Sequence, residues 1–238
     1  MPLQILEPQR LYRQIAGQLR TLMDKGEFKP GARLPAERDL ARQLGVSRPS
    51  VREALIALEV EGWVEVRTGA GVFVLERAKK PIVTRKSIGE NEWGPLELIR
   101  ARRVVEGEIA ALAATHAKRK NLQAIRDGLE KMQADTQRDV APVEGDRLFH
   151  TAIAQAAGNA VLVDMVQTFW DARKRPLFER LGDYFENVPS WRIAIKEHEA
   201  IYDAIRQHDA EAAREAMHNH MDKSHARFSA SWKRANPS

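Results

Sequence analysis

The chain has 238 residues, 43% hydrophobic and 30% charged, with a formal net charge of +5 and no cysteine. That is enough for one large or two modest domains with buried cores, and it excludes disulfides, thiol catalysis and cysteine-ligated zinc. No apolar run approaches the roughly 18 residues of a membrane helix, and Met1-Pro2-Leu3-Gln4 lacks a signal-peptide pattern, so a cytoplasmic protein without a membrane partner is expected.

Leu11, Ile15, Leu19 and Leu22 recur at a helical period, and the helix they predict stops at Lys25-Gly26. A short helix follows over 36–44, ended by Gly45. Ser47 is a good N-cap for a third helix, with Pro49 in its first turn, where the missing N–H does no harm. Val51, Leu55 and Leu58 supply its buried face, and Gly62 closes it. Two β-prone runs, 63–66 and 72–74, flank the glycine-rich turn Arg67-Thr68-Gly69-Ala70-Gly71. Helix, helix-turn-helix, hairpin is the order of a winged helix.

Residues 77–94 lack a sustained period and read as a linker. From Pro95 the pattern is helical almost throughout, with helices near 95–118, 121–138, 144–157, 160–182, 190–207 and 209–232, and Pro176 should kink or split the fourth. The expected architecture is mainly α. An N-terminal winged helix-turn-helix occupies 1–76, and an all-α bundle for effector binding and dimerisation occupies 95–232. Charge divides the same way. Residues 1–85 carry 15 Lys and Arg against 10 Asp and Glu, while 86–238 carry 23 of each. An excess of cations confined to the first third suits a phosphate-binding module.

The second helix of a helix-turn-helix lies in the major groove with its N-terminal residues on base edges. Here that helix opens Ser47-Arg48-Pro49-Ser50-Val51-Arg52. Arg48 and Arg52, four apart, share a face opposite the apolar stripe, and arginine suits the O6 and N7 of guanine. Arg38 is placed to reach a phosphate or a base, Ser50 can donate to a phosphate, and Gly69 with Gly71 permits close backbone approach at the wing. The alternative is a solvated helix face whose arginines pair with Glu37, Glu53 or Glu59.

Farther on, Asp146 and His150 lie one turn apart on an apolar face with Phe149 and Ile153. His198 sits among Ile195, Ile201 and Ile205, and His220 shares a face with Ala213 and Met217. His218 falls among charged residues and should be exposed. A buried carboxylate is costly unless compensated. One carboxylate with three imidazoles suits Zn²⁺, Ni²⁺, Fe²⁺ or Mn²⁺ with open positions for a ligand. Hydrogen-bonded core histidines and a simple Asp146–His150 pair are the alternatives. Arg102 points inward with Ile99, Val105 and Ile109, where it can hold a ligand carboxylate or pair with Glu106.

Residues 10–74 resemble the GntR family of bacterial regulators. The resemblance rests on Gly31-Ala32-Arg33-Leu34-Pro35-Ala36-Glu37-Arg38-Asp39-Leu40-Ala41, Gly45-Val46-Ser47-Arg48, Val51-Arg52-Glu53-Ala54-Leu55 and Leu58-Glu59-Val60-Glu61-Gly62-Trp63-Val64. It implies dimers on palindromic operator DNA, touched by Arg38, Arg48, Arg52 and Gly69. Ala70 stands where the wing often has serine. Residues 95–225 resemble the FCD effector domain of the FadR-type subgroup. Asp146, His150, His198 and Met217 with His220 match in order and spacing, which implies a bound metal. Arg102, Glu106 and Ala113-Ala114 match that domain's opening. Asn159, after Gly158, also matches and either caps the next helix or lines the pocket. Leu11-Tyr12, the run Leu58-Glu59-Val60-Glu61-Gly62 with Val64-Glu65-Val66-Arg67, and Phe169-Trp170 with Arg173 are similar to repressors of hexuronate catabolism, which implies a sugar-acid effector. A ligand-responsive repressor is therefore expected, not an enzyme. A metal-dependent enzyme tethered to DNA and a metal sensor are the rival readings. The enzyme reading lacks an obvious general base and an HExxH helix.

Overall fold

The computed structural model of the chain describes residues 10–76, 88 and 92–230. These form two compact units. One runs up to Pro95 and takes in Arg175–Leu181; the other comprises Leu96–Lys174 and Gly182–Ala230.

In the first unit, α1 (Leu11–Asp24), α2 (Glu37–Leu44) and α3 (Arg48–Val60) precede β1 (Val64–Arg67) and β2 (Gly71–Val74). Tyr12, Ile15, Ala16, Leu19 and Met23 bury one side of α1; of the residues whose period predicts the helix, Ile15 and Leu19 lie on that side, while Leu11 and Leu22 are exposed. Gly45 ends α2 in the left-handed conformation (φ 66°), which costs glycine little. Ser47 caps α3 by accepting from the Ser50 N–H at 3.2 Å. α3 is buried continuously from Val51 to Leu58. It is the core of the unit rather than a helix lying on it.

β1 and β2 pair antiparallel with Val64 opposite Val74 and Arg67 opposite Gly71. The hairpin has a third member that the sequence reading left as loop. The Leu34 N–H donates to the Val72 carbonyl (2.8 Å) and the Val74 N–H to the Ala32 carbonyl (2.9 Å), placing Arg33 opposite Phe73.

Most of the expected linker, 77–87 and 89–91, lies outside the described residues. Glu92, at its end, is not linker-like. It is buried, accepts from the Leu177 N–H at 2.9 Å, and its carbonyl accepts from the Tyr12 hydroxyl at 2.9 Å. Residues 175–181, which the sequence reading gives to the bundle, thus group with the first unit, where Arg180 also grips Glu59 through two nitrogens at 2.9 and 3.0 Å.

The second unit is built from α4 (Pro95–His116), α5 (Arg119–Gln137), α6 (Val143–Ala156), α7 (Ala160–Arg173), the end of α8 (Pro176–Phe185), α9 (Val188–Arg206) and α10 (Ala210–Phe228). Pro176 does split the expected fourth helix, into α7 and α8. Ile109, Ile125, Met132, Phe149, Ile153, Trp170, Ile201 and Met217 belong to one apolar core. No helix among the described residues is long and apolar enough to cross a membrane.

Two glycines let α5 and α6 approach closely. A Cβ on Gly128 would lie 2.7 Å from the Phe149 nitrogen and 2.8 Å from its Cα, and one on Gly145 would lie 2.8 Å from the Met132 nitrogen. Backbone atoms cannot rotate away. Gly128→Ala is therefore expected to destabilise this unit by about 1–3 kcal/mol, despite alanine's better helix propensity. A melting temperature at or above that of the parent would contradict the packing.

Candidate DNA-binding groove and buried histidine cluster

The tip of the winged helix carries a groove of about 520 Å³ whose lining includes Arg33, Arg38, Arg48 and Arg67, with Gly69 and Gly71 at the wing. Arg38 at the start of α2 is 79% exposed and Arg48 at the start of α3 is 52% exposed. The Ser50 hydroxyl lies 2.8 Å from that of Ser47. Gly69 is exposed at the hairpin turn with φ 78°.

Arg52 departs from the sequence reading. It does not share an exposed face with Arg48: its side chain is only 2% exposed. Its Nε and Nη2 donate to the two carboxylate oxygens of Glu37 at 2.8 and 2.7 Å. A buried guanidinium needs such a partner, and Glu37 on α2 supplies it. The same carboxylate is 3.9 Å from Arg48. Of the possible acidic partners, Glu37 is thus the one that takes Arg52, and it ties α2 to α3.

In the helical unit, Asp146, His150, His198 and His220 come together, each buried, with one ligand-competent atom apiece inside 4.8 Å. α6 supplies the first two, α9 the third and α10 the fourth. His198 Nδ1 lies 2.7 Å from the Ala194 carbonyl, so it carries the proton and leaves Nε2 facing inward. His198 Nε2 is 2.9 Å from Asp146 Oδ1 and 3.4 Å from His150 Nε2. His220 Nδ1 lies 2.9 Å from Glu197. His150 Nδ1 lies 2.5 Å from Glu106 Oε2, a close ionic contact not aligned as a hydrogen bond.

The outer nitrogens of His198 and His220 are thus hydrogen-bonded and that of His150 faces Glu106, with Nε2 turned to a common centre beside a carboxylate. Lone pairs so gathered repel unless protons or a cation lie between them. Outer partners that fix the ring and its tautomer are what metal-ligating histidines require. Among the described residues the donor set fits a divalent cation. The surrounding charges agree. Burial alone would raise Glu106, but Arg102 and then His150 override it and hold it at about 2. Burial would likewise raise Asp146, yet the adjoining His150 and His198 rings hold it well below its ordinary range. Burial, followed by the charge of His198, pushes His220 down to about 3, so the ring is neutral at neutral pH.

Beside the cluster lies a cavity of about 30 Å³, lined among others by Arg102, Asp146, Arg173, Trp191, His220 and Arg227. Arg102 pairs with Glu106 (Nε–Oε1 2.5 Å), the second of its two readings, and it also borders the cavity. Arg173 reaches Asp146 at 3.3 Å and Glu186 at 2.6 Å and lies over the Trp170 ring at 4.8 Å. Arg227 contacts Glu197 at 2.9 and 3.2 Å. The Trp191 indole N–H is buried without a hydrogen-bond partner. Asn159 is not in this lining. It is exposed and caps α7, accepting from the Val161 N–H at 3.0 Å. His218 is half-buried against Gly107 rather than exposed. Sequence reasoning did not place Arg227, Trp191 or Glu197 at the site and gave Glu106 only as a partner for Arg102; the signal for two of them was there, since Trp191 lies seven residues before His198 on α9 and Arg227 seven after His220 on α10.

An arginine-lined winged helix in a chain whose helical half encloses a polar, cation-competent centre defines a DNA-binding regulator. Residues 11–74 match the model of the bacterial regulatory proteins of the gntR family, and residues 97–223 match the FCD domain. The chain is 35% identical over 218 residues to the Uxu operon transcriptional regulator of Escherichia coli strain K12, covering 90% of this chain and 85% of that one. It is 34% identical over 224 residues to the Exu regulon transcriptional regulator of the same strain, covering 92% and 85%. Among solved structures, E. coli McbR/YncC superposes with a TM-score of 0.51 at 26% identity, covering 93% of this chain and 98% of that one. The chain belongs to the GntR family, with an FCD domain of the FadR-type subgroup, and is a transcriptional regulator rather than an enzyme.

Proposed function

We propose that this chain is a cytoplasmic, dimeric repressor that binds a palindromic operator through Arg38, Arg48 and the wing at Gly69, and releases or retains it according to a small carboxylic acid. The acid is a hexuronate or a related sugar acid, in keeping with the relatives that share most of the chain's length. Asp146, His150, His198 and His220 would hold Zn²⁺, Ni²⁺, Fe²⁺ or Mn²⁺, which supplies positive charge and open positions for a carboxylate.

The observation that carries the reading is the cavity. Asp146 and His220 of the cluster, Arg102, Arg173 and Trp191, whose indole N–H has no acceptor among the described residues, line one space. A buried donor left without an acceptor costs about 1–3 kcal/mol, and a hydroxylated acid supplies that acceptor. At about 30 Å³ the space holds about one water, far below the ~300 Å³ of small ligand pockets. The acid-bound form must therefore differ from this one, which is what a ligand needs in order to shift an equilibrium.

Glucuronate, galacturonate and short hydroxy acids, screened by thermal shift with and without divalent metal, test this. The right acid at a hundredfold excess over Kd is expected to stabilise the metal-loaded protein by about 2.7 kcal/mol and to change operator affinity in a gel shift. Arg173→Ala is expected to abolish the acid response while keeping metal binding. A second reading, in which the cation itself is the signal, draws on the same small cavity. It would be upheld if metal alone altered DNA affinity and no acid altered it further.

A further inference from the structure

The groove between the wing and α3 is lined by four arginines, and three of them already face a carboxylate. Arg38 has Asp39 at 3.7 Å, Arg48 has Glu37 at 3.9 Å, and Arg67 has Glu65 at 2.7 Å. Arg33 is different. It is exposed, and among the described residues no carboxylate pairs with it. Its placement is nonetheless specific. The Arg33–Phe73 bridge fixes its backbone to the wing. Its guanidinium then packs against Gly71, so close that a Cβ there would sit 2.5 Å from Nε and 3.1 Å from Cζ. Gly71 also has φ 121°, a conformation open to glycine and strained for other residues. The hairpin thus combines a side-chain-free position with an uncompensated cation laid across it.

A wing and a recognition helix that enter adjacent grooves of a duplex leave one phosphodiester strand between them, since that strand is what separates the two grooves. This groove is where it must pass. We propose that the groove is a channel for the DNA backbone and that Arg33, seated on Gly71, is a phosphate anchor in it. Arg67, stacked over the Phe73 ring at 4.5 Å and neutralised by Glu65, forms the far wall. Arg33 contributes affinity and register but reads no base. The proposal rests on DNA binding by this unit and is independent of the effector.

The test uses the full-length protein and a short mixed-sequence duplex, with affinity followed across a salt series, because a phosphate contact acts on any sequence. Arg33→Ala should melt like the parent, since the side chain is exposed. It should bind about tenfold more weakly at fixed salt and lower the slope of log K against log salt by about 0.9. Arg33→Lys should restore the slope. Discrimination between an operator selected from a random duplex library and the mixed duplex should be unchanged. An unchanged slope in Arg33→Ala overturns the proposal, and so does a loss of preference at one base pair, which would make Arg33 a base reader. Arg38→Ala is the control. If it also binds normally, the groove is not the DNA site at all; if it alone fails, the error is confined to Arg33.

Discussion

Glu37→Ala is expected to cost the winged-helix unit about 3–5 kcal/mol, the usual penalty for breaking a buried ion pair by removing one partner. The Arg52 guanidinium would keep its burial and lose both oxygens that it now meets at 2.8 and 2.7 Å. Such a loss is a large part of the roughly 5–15 kcal/mol that holds a domain together. Chemical denaturation would record an earlier transition for this unit, and operator binding would weaken with it. The same geometry offers a way to decide what Arg52 does. Replacing both partners, Glu37→Leu with Arg52→Met, removes both charges and should return most of the stability. If Arg52 serves only to join α2 to α3, the double variant binds the operator. If Arg52 leaves Glu37 for a base when DNA arrives, as the resemblance to the family implies, the double variant folds and fails to bind. A single Arg52→Ala cannot separate these cases, because it breaks the same ion pair as Glu37→Ala. Unaltered denaturation of Glu37→Ala would remove the ion pair from the account of the fold altogether.

The Arg52 result shows where sequence periodicity stops being informative. The sequence reading put Arg52 on a face opposite Val51, Leu55 and Leu58, but a 100° step sets it only at their flank, and a helix that forms the middle of a small unit has no solvent side along most of its length. What covers the polar flank of α3 is α2, whose Glu37 lies 15 positions earlier; no spacing rule links the two. The four cluster residues were legible for the opposite reason. Asp146 and His150 are one turn apart on the same helix, and His198 and His220 each lie on an apolar face, so burial of a metal-competent atom followed from the pattern alone. Their outer partners did not. Glu106, Glu197 and the Ala194 carbonyl act on rings brought to them by the tertiary fold. Arg33 stands out in the sequence only as part of a motif, because three residues pairing with a hairpin are too short to show an alternation. Asn159 had two readings open, and its position just after Gly158 (φ 75°) at the head of α7 resolves them in favour of the cap.

Chelator-stripped protein is expected to regain stability when a divalent ion is restored, and His198→Ala is expected to lose nearly all of that gain. His198 is the ring at the middle of the cluster, 2.9 Å from Asp146 and 3.4 Å from His150 by the same nitrogen. Removing it takes out a donor atom and widens the space between the others. At a thousandfold excess over Kd a bound ion stabilises the folded state by about 4 kcal/mol, which in a domain of this size raises the melting temperature by on the order of 10 °C. Asp146→Asn should behave like His198→Ala, since it removes the one negative charge in the set. Glu197→Gln should be intermediate. The ring of His220 would remain, but the carboxylate that holds its outer nitrogen at 2.9 Å would not, and losses of that kind weaken metal binding about 10–100-fold. His218→Ala, two residues from His220 but outside the cluster, should retain the full gain. The graded order separates a metal centre from a set of core histidines. Hydrogen-bonded core residues would show the same melting temperature with and without metal, and their variants would rank by burial alone. A parent protein whose melting temperature ignores chelation and readdition of every one of Zn²⁺, Ni²⁺, Fe²⁺ and Mn²⁺ would leave the convergence of the three Nε2 atoms without a ligand to explain it.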